Sequence, residues 1–191
     1  ERILFAVEDG QVTMVTQISY QGRADDFAWV LPLPDVPDVA SLDTFPQAAL
    51  GALDANTGPQ FRMPEECWAS AELDASGSPG GARDGEDGDV TVHIREEVGP
   101  YDVAVVESSD PMRLVEWLRG NEFRVTDPML PYIELYTEEG MKFLALKLQP
   151  DSDVSDIQPF RLTLPGQAPS VPIRLTSLAA EPEMGILVFV L

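Results

Sequence analysis

His93 and Cys67 are the only histidine and the only cysteine of this 191-residue chain, so any imidazole base must be the first and any thiol chemistry the second. His93 shares one side of an alternating stretch with Thr91 and Arg95, while Val90, Val92 and Ile94 take the other, which reads as a solvated face of a strand. Glu96 and Glu97 follow, but on an extended strand they do not converge with His93 as zinc ligands four apart on a helix would. A lone cysteine excludes an internal disulfide and a thiolate zinc cluster; a buried thiol and a partner outside this chain both remain open. The densest group of hard oxygen ligands is Asp84, Glu86, Asp87 and Asp89, a set of the kind that calcium takes. Gly88 stands where an EF-hand loop needs its third oxygen ligand, and the competing reading is a solvated, disordered charge run. Calcium is the only cofactor suggested.

No catalytic residues are singled out, because the chain contains no nucleophile elbow, phosphate-binding loop or dinucleotide fingerprint. Carboxylate pairs, as in glycoside hydrolysis, are the route left to a hydrolase, yet 33 acidic residues do not mark out any one pair. Trp29, Trp117, Tyr132 and Tyr136 have the spacings of core aromatics rather than of a pocket wall. The formal net charge of −21 opposes binding to nucleic acid or to anionic lipid, which needs clustered Lys and Arg. Only two of the 12 basic residues are lysines, Lys142 and Lys147, which reads as composition rather than mechanism.

The elements that must carry these residues are clearest in Gly99 to Gly120. Val103 to Val106 is apolar on both alternating faces, which predicts a central strand. Asp110-Pro111 is a helix start, Leu114, Trp117 and Leu118 form the buried face, and Gly120 is suited to a left-handed stop. A second helix is predicted from Asp127-Pro128-Met129 to Gly140, both helices being expected over a sheet that also holds Met141 to Leu148. Upstream, Ile3 to Val7 and Val12 to Tyr20 predict a hairpin, Phe27 to Leu33 an edge strand marked by Pro32, and Ser41 to Asn56 a short helix capped by Asp43. Residues 65–89 lose periodicity and predict a disordered acidic loop, and three strands follow, Phe160 to Leu164, Val171 to Leu178 and Gly185 to Leu191. The sum is a single α+β domain over 1–191, with a largely antiparallel sheet system and about three helices grouped in the middle of the chain.

The segments ERILFAVEDGQVTMVTQISYQG, DDFAWVLPLPDVPDV, VGPYDVAVVESSDPMRLVEWLRGNEF, MKFLALKLQP and PIRLTSLAAEPEMGILVFVL resemble, in order, the bacterial family called domain of unknown function 2330. The resemblance covers nearly all of the chain except the acidic loop and carries no assigned biochemistry. It implies an exported protein, secreted or attached to the envelope, with a signal peptide and a cysteine- and glycine-rich segment before Glu1 and often an anchoring tail after Leu191. The ends agree, since Glu1 to Phe5 already reads as a strand and Ile186 to Leu191 is an apolar run, so a longer protein is expected. Membrane attachment would then come only through segments outside this chain, and Cys67 would pair with an upstream cysteine. The resulting expectation is a non-enzymatic binding or scaffolding module of the cell envelope, whose partner is an envelope protein or ligand, with a carboxylate hydrolase as the alternative.

Overall fold

The computed structural model describes residues 1–57, 90–179 and 185–191. Asp9 and Gly10 both take positive φ, at 50° and 77°, the conformation a two-residue hairpin turn demands, and they join β1 (Arg2–Glu8) to β2 (Gln11–Thr16). β2 ends at Thr16, four residues before the predicted Tyr20. β3 is Ala28–Leu33 and β4 the two-residue Asp43–Thr44. The first helix, α1, runs Gln47–Thr57 rather than from Ser41; Asp43 does not cap it, because it lies in β4, four residues before the helix, where its carboxylate accepts from Thr44 N at 2.8 Å and pairs with Arg161 at 3.0 Å. β5 is Thr91–Val98, β6 Tyr101–Glu107, α2 Pro111–Gly120, α3 Leu130–Glu138, β7 Lys142–Leu148 and β8 Phe160–Pro165. Val171 to Leu178 is not a strand. After Pro172 it turns into the short helix α4 (Ile173–Thr176), which sends Leu175 into the core among the helices; a short apolar run does not by itself tell the two states apart. β9 is Leu187–Val190.

Two sheets result, in the orders β4-β8-β2-β1-β9 and β3-β7-β6-β5, antiparallel throughout except for the parallel pair β1–β9. The class is α+β, as expected. Between the sheets, Phe5, Met14, Phe160 and Leu162 meet Leu31, Val103, Val105, Leu144 and Leu146. The opposite face of the second sheet, with Ala104, Val106, Phe143 and Ala145, is covered by Leu114, Trp117, Leu118, Ile133 and Tyr136 of α2 and α3. β6 and β7 therefore sit centrally with both faces buried, which is why their sequences are apolar on both alternating faces. β3 is an edge, in accord with Pro32.

The helix starts behave differently although both read Asp-Pro-Met. Asp110 Oδ1 accepts from the N–H groups of Met112 at 2.8 Å and Arg113 at 3.3 Å and caps α2, whereas the Asp127 carboxylate accepts from Arg119 Nη2 at 2.9 Å. Gly120 remains helical, and the left-handed position falls to Glu122 (φ 66°). There the N–H of Glu122 donates to Arg119 O and that of Phe123 to Leu118 O, the double closure that satisfies the last carbonyls of a helix. Gly140 (φ 72°) closes α3 in the same way.

Candidate functional site

Glu107 closes β6 and Lys142 opens β7. Their strands pair in the register Val106↔Phe143, so the next step brings the two opposite each other. A bulge between Val92 and Ile94 in β5 holds His93 beside them. Lys142 Nζ donates to Glu107 Oε1 at 2.7 Å and to Gly140 O at 3.2 Å, and His93 Nε2 lies 2.9 Å from Glu107 Oε2. Hydrogen bonds from Lys142 and then His93 hold the Glu107 carboxyl below its ordinary value. Both carboxylate oxygens are engaged, and a lowered pKa moves Glu107 away from the near-neutral range of a general base. The cluster ties three strand ends together; acid–base work would require it to break its own bonds.

The bulge also corrects the predicted alternation. Val92 pairs with Val106 and Ile94 with Val105, so the two lie on opposite faces: Ile94 is buried between the sheets and Val92 is exposed. At the other end of β6 and β7, Lys147 Nζ is 3.6 Å from Asp102 Oδ2, donates to Glu122 Oε2 at 3.1 Å and to Asn121 O at 3.0 Å, and stands 5.4 Å over the Phe123 ring. Both lysines of the chain are thus cross-strand partners of β6 carboxylates.

A cleft opens at one end of the sandwich between Phe5, Val12 and Met14 on one sheet and Leu31 to Pro34 on the other, closed by Leu164, Pro165, Ala168, Ser170 and Pro172. It holds about 30 Å³, against roughly 300 to 1,000 Å³ for sites that enclose small molecules. Among the described residues no carboxylate or imidazole lines it. Burial pushes the Glu1 carboxyl up, but Glu1 is not in that lining. Burial also raises the Tyr101 hydroxyl to about 12; it donates to Gln158 O at 2.6 Å and accepts from Gln158 N at 2.9 Å, an anchor between β6 and the segment before β8.

The third feature is an edge. β9 pairs with β1 on one side, and among the described residues no strand lies beyond it. Leu187, Val188 and Val190 are 36%, 44% and 63% exposed and the following Leu191 is 69% exposed, while Val103, Val105 and Val106 of β6 are fully buried.

Residues 1–191, the whole chain, match the family model described as uncharacterized protein conserved in bacteria, DUF2330. The chain belongs to that family. No curated protein and no solved structure matches it.

Within this DUF2330 chain, the residues singled out from sequence are scattered. His93 is drawn into the Glu107–Lys142 cluster. Glu96 and Glu97 lie exposed on β5, and among the described residues no three His, Cys, Asp or Glu side chains are grouped to hold a metal. Cys67, the predicted calcium ligands Asp84, Glu86, Asp87 and Asp89, and the predicted loop 65–89 lie outside the described residues. Trp117 and Tyr136 are buried, Trp29 and Tyr132 pack partly buried against the two cores, and none of the four lines the cleft. Among the described residues no helix is long and apolar enough to cross a membrane. Sequence reasoning missed the role of the lysines and the exposure of β9. The first was within reach: Asp102 and Glu107 are five apart on β6, and Lys142 and Lys147 five apart on β7, the spacing that antiparallel pairing turns into two opposite-charge pairs.

Proposed function

We propose that this DUF2330 chain is a non-enzymatic extracytoplasmic module of the bacterial cell envelope that binds or scaffolds through its uncovered β9 edge. The observation that carries the reading is β9 itself, an apolar strand that leaves Leu187, Val188 and Val190 exposed and Phe189 partly buried, whereas the other apolar strands among the described residues are largely buried. The envelope location rests on the resemblance to exported proteins. Binding is favoured over carboxylate hydrolysis because the cleft is small and apolar, and because Glu107 is engaged on both oxygens.

The test is in the bacterium that makes the full-length protein. A photoreactive phenylalanine analogue in place of Val190 is expected to give a discrete cross-linked adduct in the envelope fraction, while the same analogue in place of the exposed Met112 on α2 gives none. Absence of an adduct, or its recovery from the cytoplasm, overturns the reading. So does a hydrolytic activity of the purified protein that disappears in Glu107→Gln.

A further inference from the structure

Among the described residues the two sheets end in four outer strands, and three of them carry a device that discourages further pairing. β3 has Pro32; β4 is two residues long; β5 is bulged at His93 and exposes Arg95, Glu96 and Glu97. β9, with the sequence Leu-Val-Phe-Val, has no charge, no proline and no bulge. Its backbone is set up for one more strand. Leu187 N donates to Glu1 O at 2.9 Å, Leu191 N to Phe5 O at 2.8 Å, and Leu191 O accepts from Val7 N at 3.2 Å. The odd-numbered residues therefore face β1, and Val188 and Val190 turn their N–H and C=O groups outward. By register, Val188 and Val190 continue the inner row of Ile3 and Phe5, while Leu187 and Phe189 continue the outer row of Arg2 and Leu4.

Among the described residues, acidic side chains flank this strand. Glu1 flanks it where Leu187 begins, and the exposed Glu8 and Asp9 lie beyond Leu191. The nearby Arg2 is held by Asp54 at 2.8 Å, and the chain carries a formal net charge of −21. A second copy fits poorly. It would bring like charges together over a strand of four residues, whereas stable interfaces engage roughly 20–30 residues a side. Resting on the reading that β9 is the binding edge, we propose that its occupant is an extended segment of another protein, apolar at its centre and flanked by Lys or Arg, which adds as a further strand beside β9. Main-chain bonds to Val188 and Val190 supply pairing, the two valines take its inward side chains, and Glu8, Asp9 and Glu1 receive its basic flanks.

The experiment follows amide hydrogen exchange of the isotope-labelled protein with a nine-residue peptide of alternating valine and threonine bearing two lysines at each end, and with the same peptide bearing glutamates instead. The lysine peptide is expected to slow exchange of the Val188 and Val190 amides at least tenfold, the glutamate peptide to leave them unchanged, and Val190→Lys to abolish the protection. Unchanged exchange with the lysine peptide overturns the proposal, as does equal protection by both peptides. Protection that rises with protein concentration in the absence of peptide assigns the edge to a second copy and also overturns it. The two tests separate the two claims: an adduct at position 190 without peptide protection sinks the basic segment and leaves the binding edge, whereas no adduct sinks the edge itself.

Discussion

β6 and β9, Tyr-Asp-Val-Ala-Val-Val-Glu and Leu-Val-Phe-Val, are both rich in valine, and the molecule treats them in opposite ways. β6 is central in its sheet, with one row of side chains against the other sheet and the other against α2 and α3; its charged residues, Asp102 and Glu107, lie near its two ends and meet lysines of β7. Among the described residues β9 has a neighbour on one side only, and it has exposed apolar side chains and no charge to pair. Burial of an apolar side chain is worth roughly 1.5–3 kcal/mol, so β6 and its neighbours serve stability, whereas part of that stabilisation, most of all at Val190, remains unused at β9 until something covers it. The difference separates a strand that holds the fold from one available for contact.

The widest gap between the two regions is in the effect of truncation. Leu144→Ala, at a fully buried position of β7 beside β6, is expected to lower unfolding free energy by about 2–5 kcal/mol, and Val190→Ala by less than about 0.5 kcal/mol, both read from urea melts. Equal losses would erase the distinction. Asp110→Ala, which removes the cap that holds α2 over β6, should cost about 1 kcal/mol in the same assay, and Asp110→Asn should recover most of it.

A smaller effect belongs to the ion cluster at the end of β6. Because folding lowers the Glu107 pKa from its ordinary 4.5, its stabilisation is complete above that value and fades as pH falls through the lowered folded value. Glu107 is 36% exposed, so solvent screening holds the effect under about 1 kcal/mol. Wild type and Glu107→Gln should differ in melting temperature at pH 6 and converge near pH 2. A constant gap across that range would remove the cluster as the source. Smallest of all, Val190→Lys should change stability by no more than about 0.5 kcal/mol, since it adds to an open edge the charge that guards other edges.

Much of this architecture was legible in the chain itself. Apolar residues on both alternating faces placed β6 and β7 at the centre, the runs Ile3 to Val7 and Val12 to Tyr20 marked the hairpin, Pro32 the edge, and Asp110-Pro111 the start of α2. What was not legible depends on distant partners. The bulge at His93 is set by the pairing of β5 with β6, and it reverses the face of Val92 against that of Ile94. α4 is helical because Leu175 docks among the other helices, which its short apolar run does not announce. Gly120 was suited to the left-handed stop by residue type, but the chain runs two residues further before Glu122 takes that conformation. The candidate site was harder still. An apolar run such as Leu187 to Val190 signals burial, and only the sheet order shows that it stands at an edge among the described residues.

The central claim is that β9 is an open edge, and residue-resolved native-state hydrogen exchange of the protein alone tests it most directly. The prediction is an alternating pattern on β9, with the Leu187, Phe189 and Leu191 amides protected by β1 and the Val188 and Val190 amides exchanging close to the unprotected rate, beside uniform protection of Val103 to Val106. Uniform protection along Leu187 to Leu191 at low protein concentration would show the edge already covered and would contradict the account.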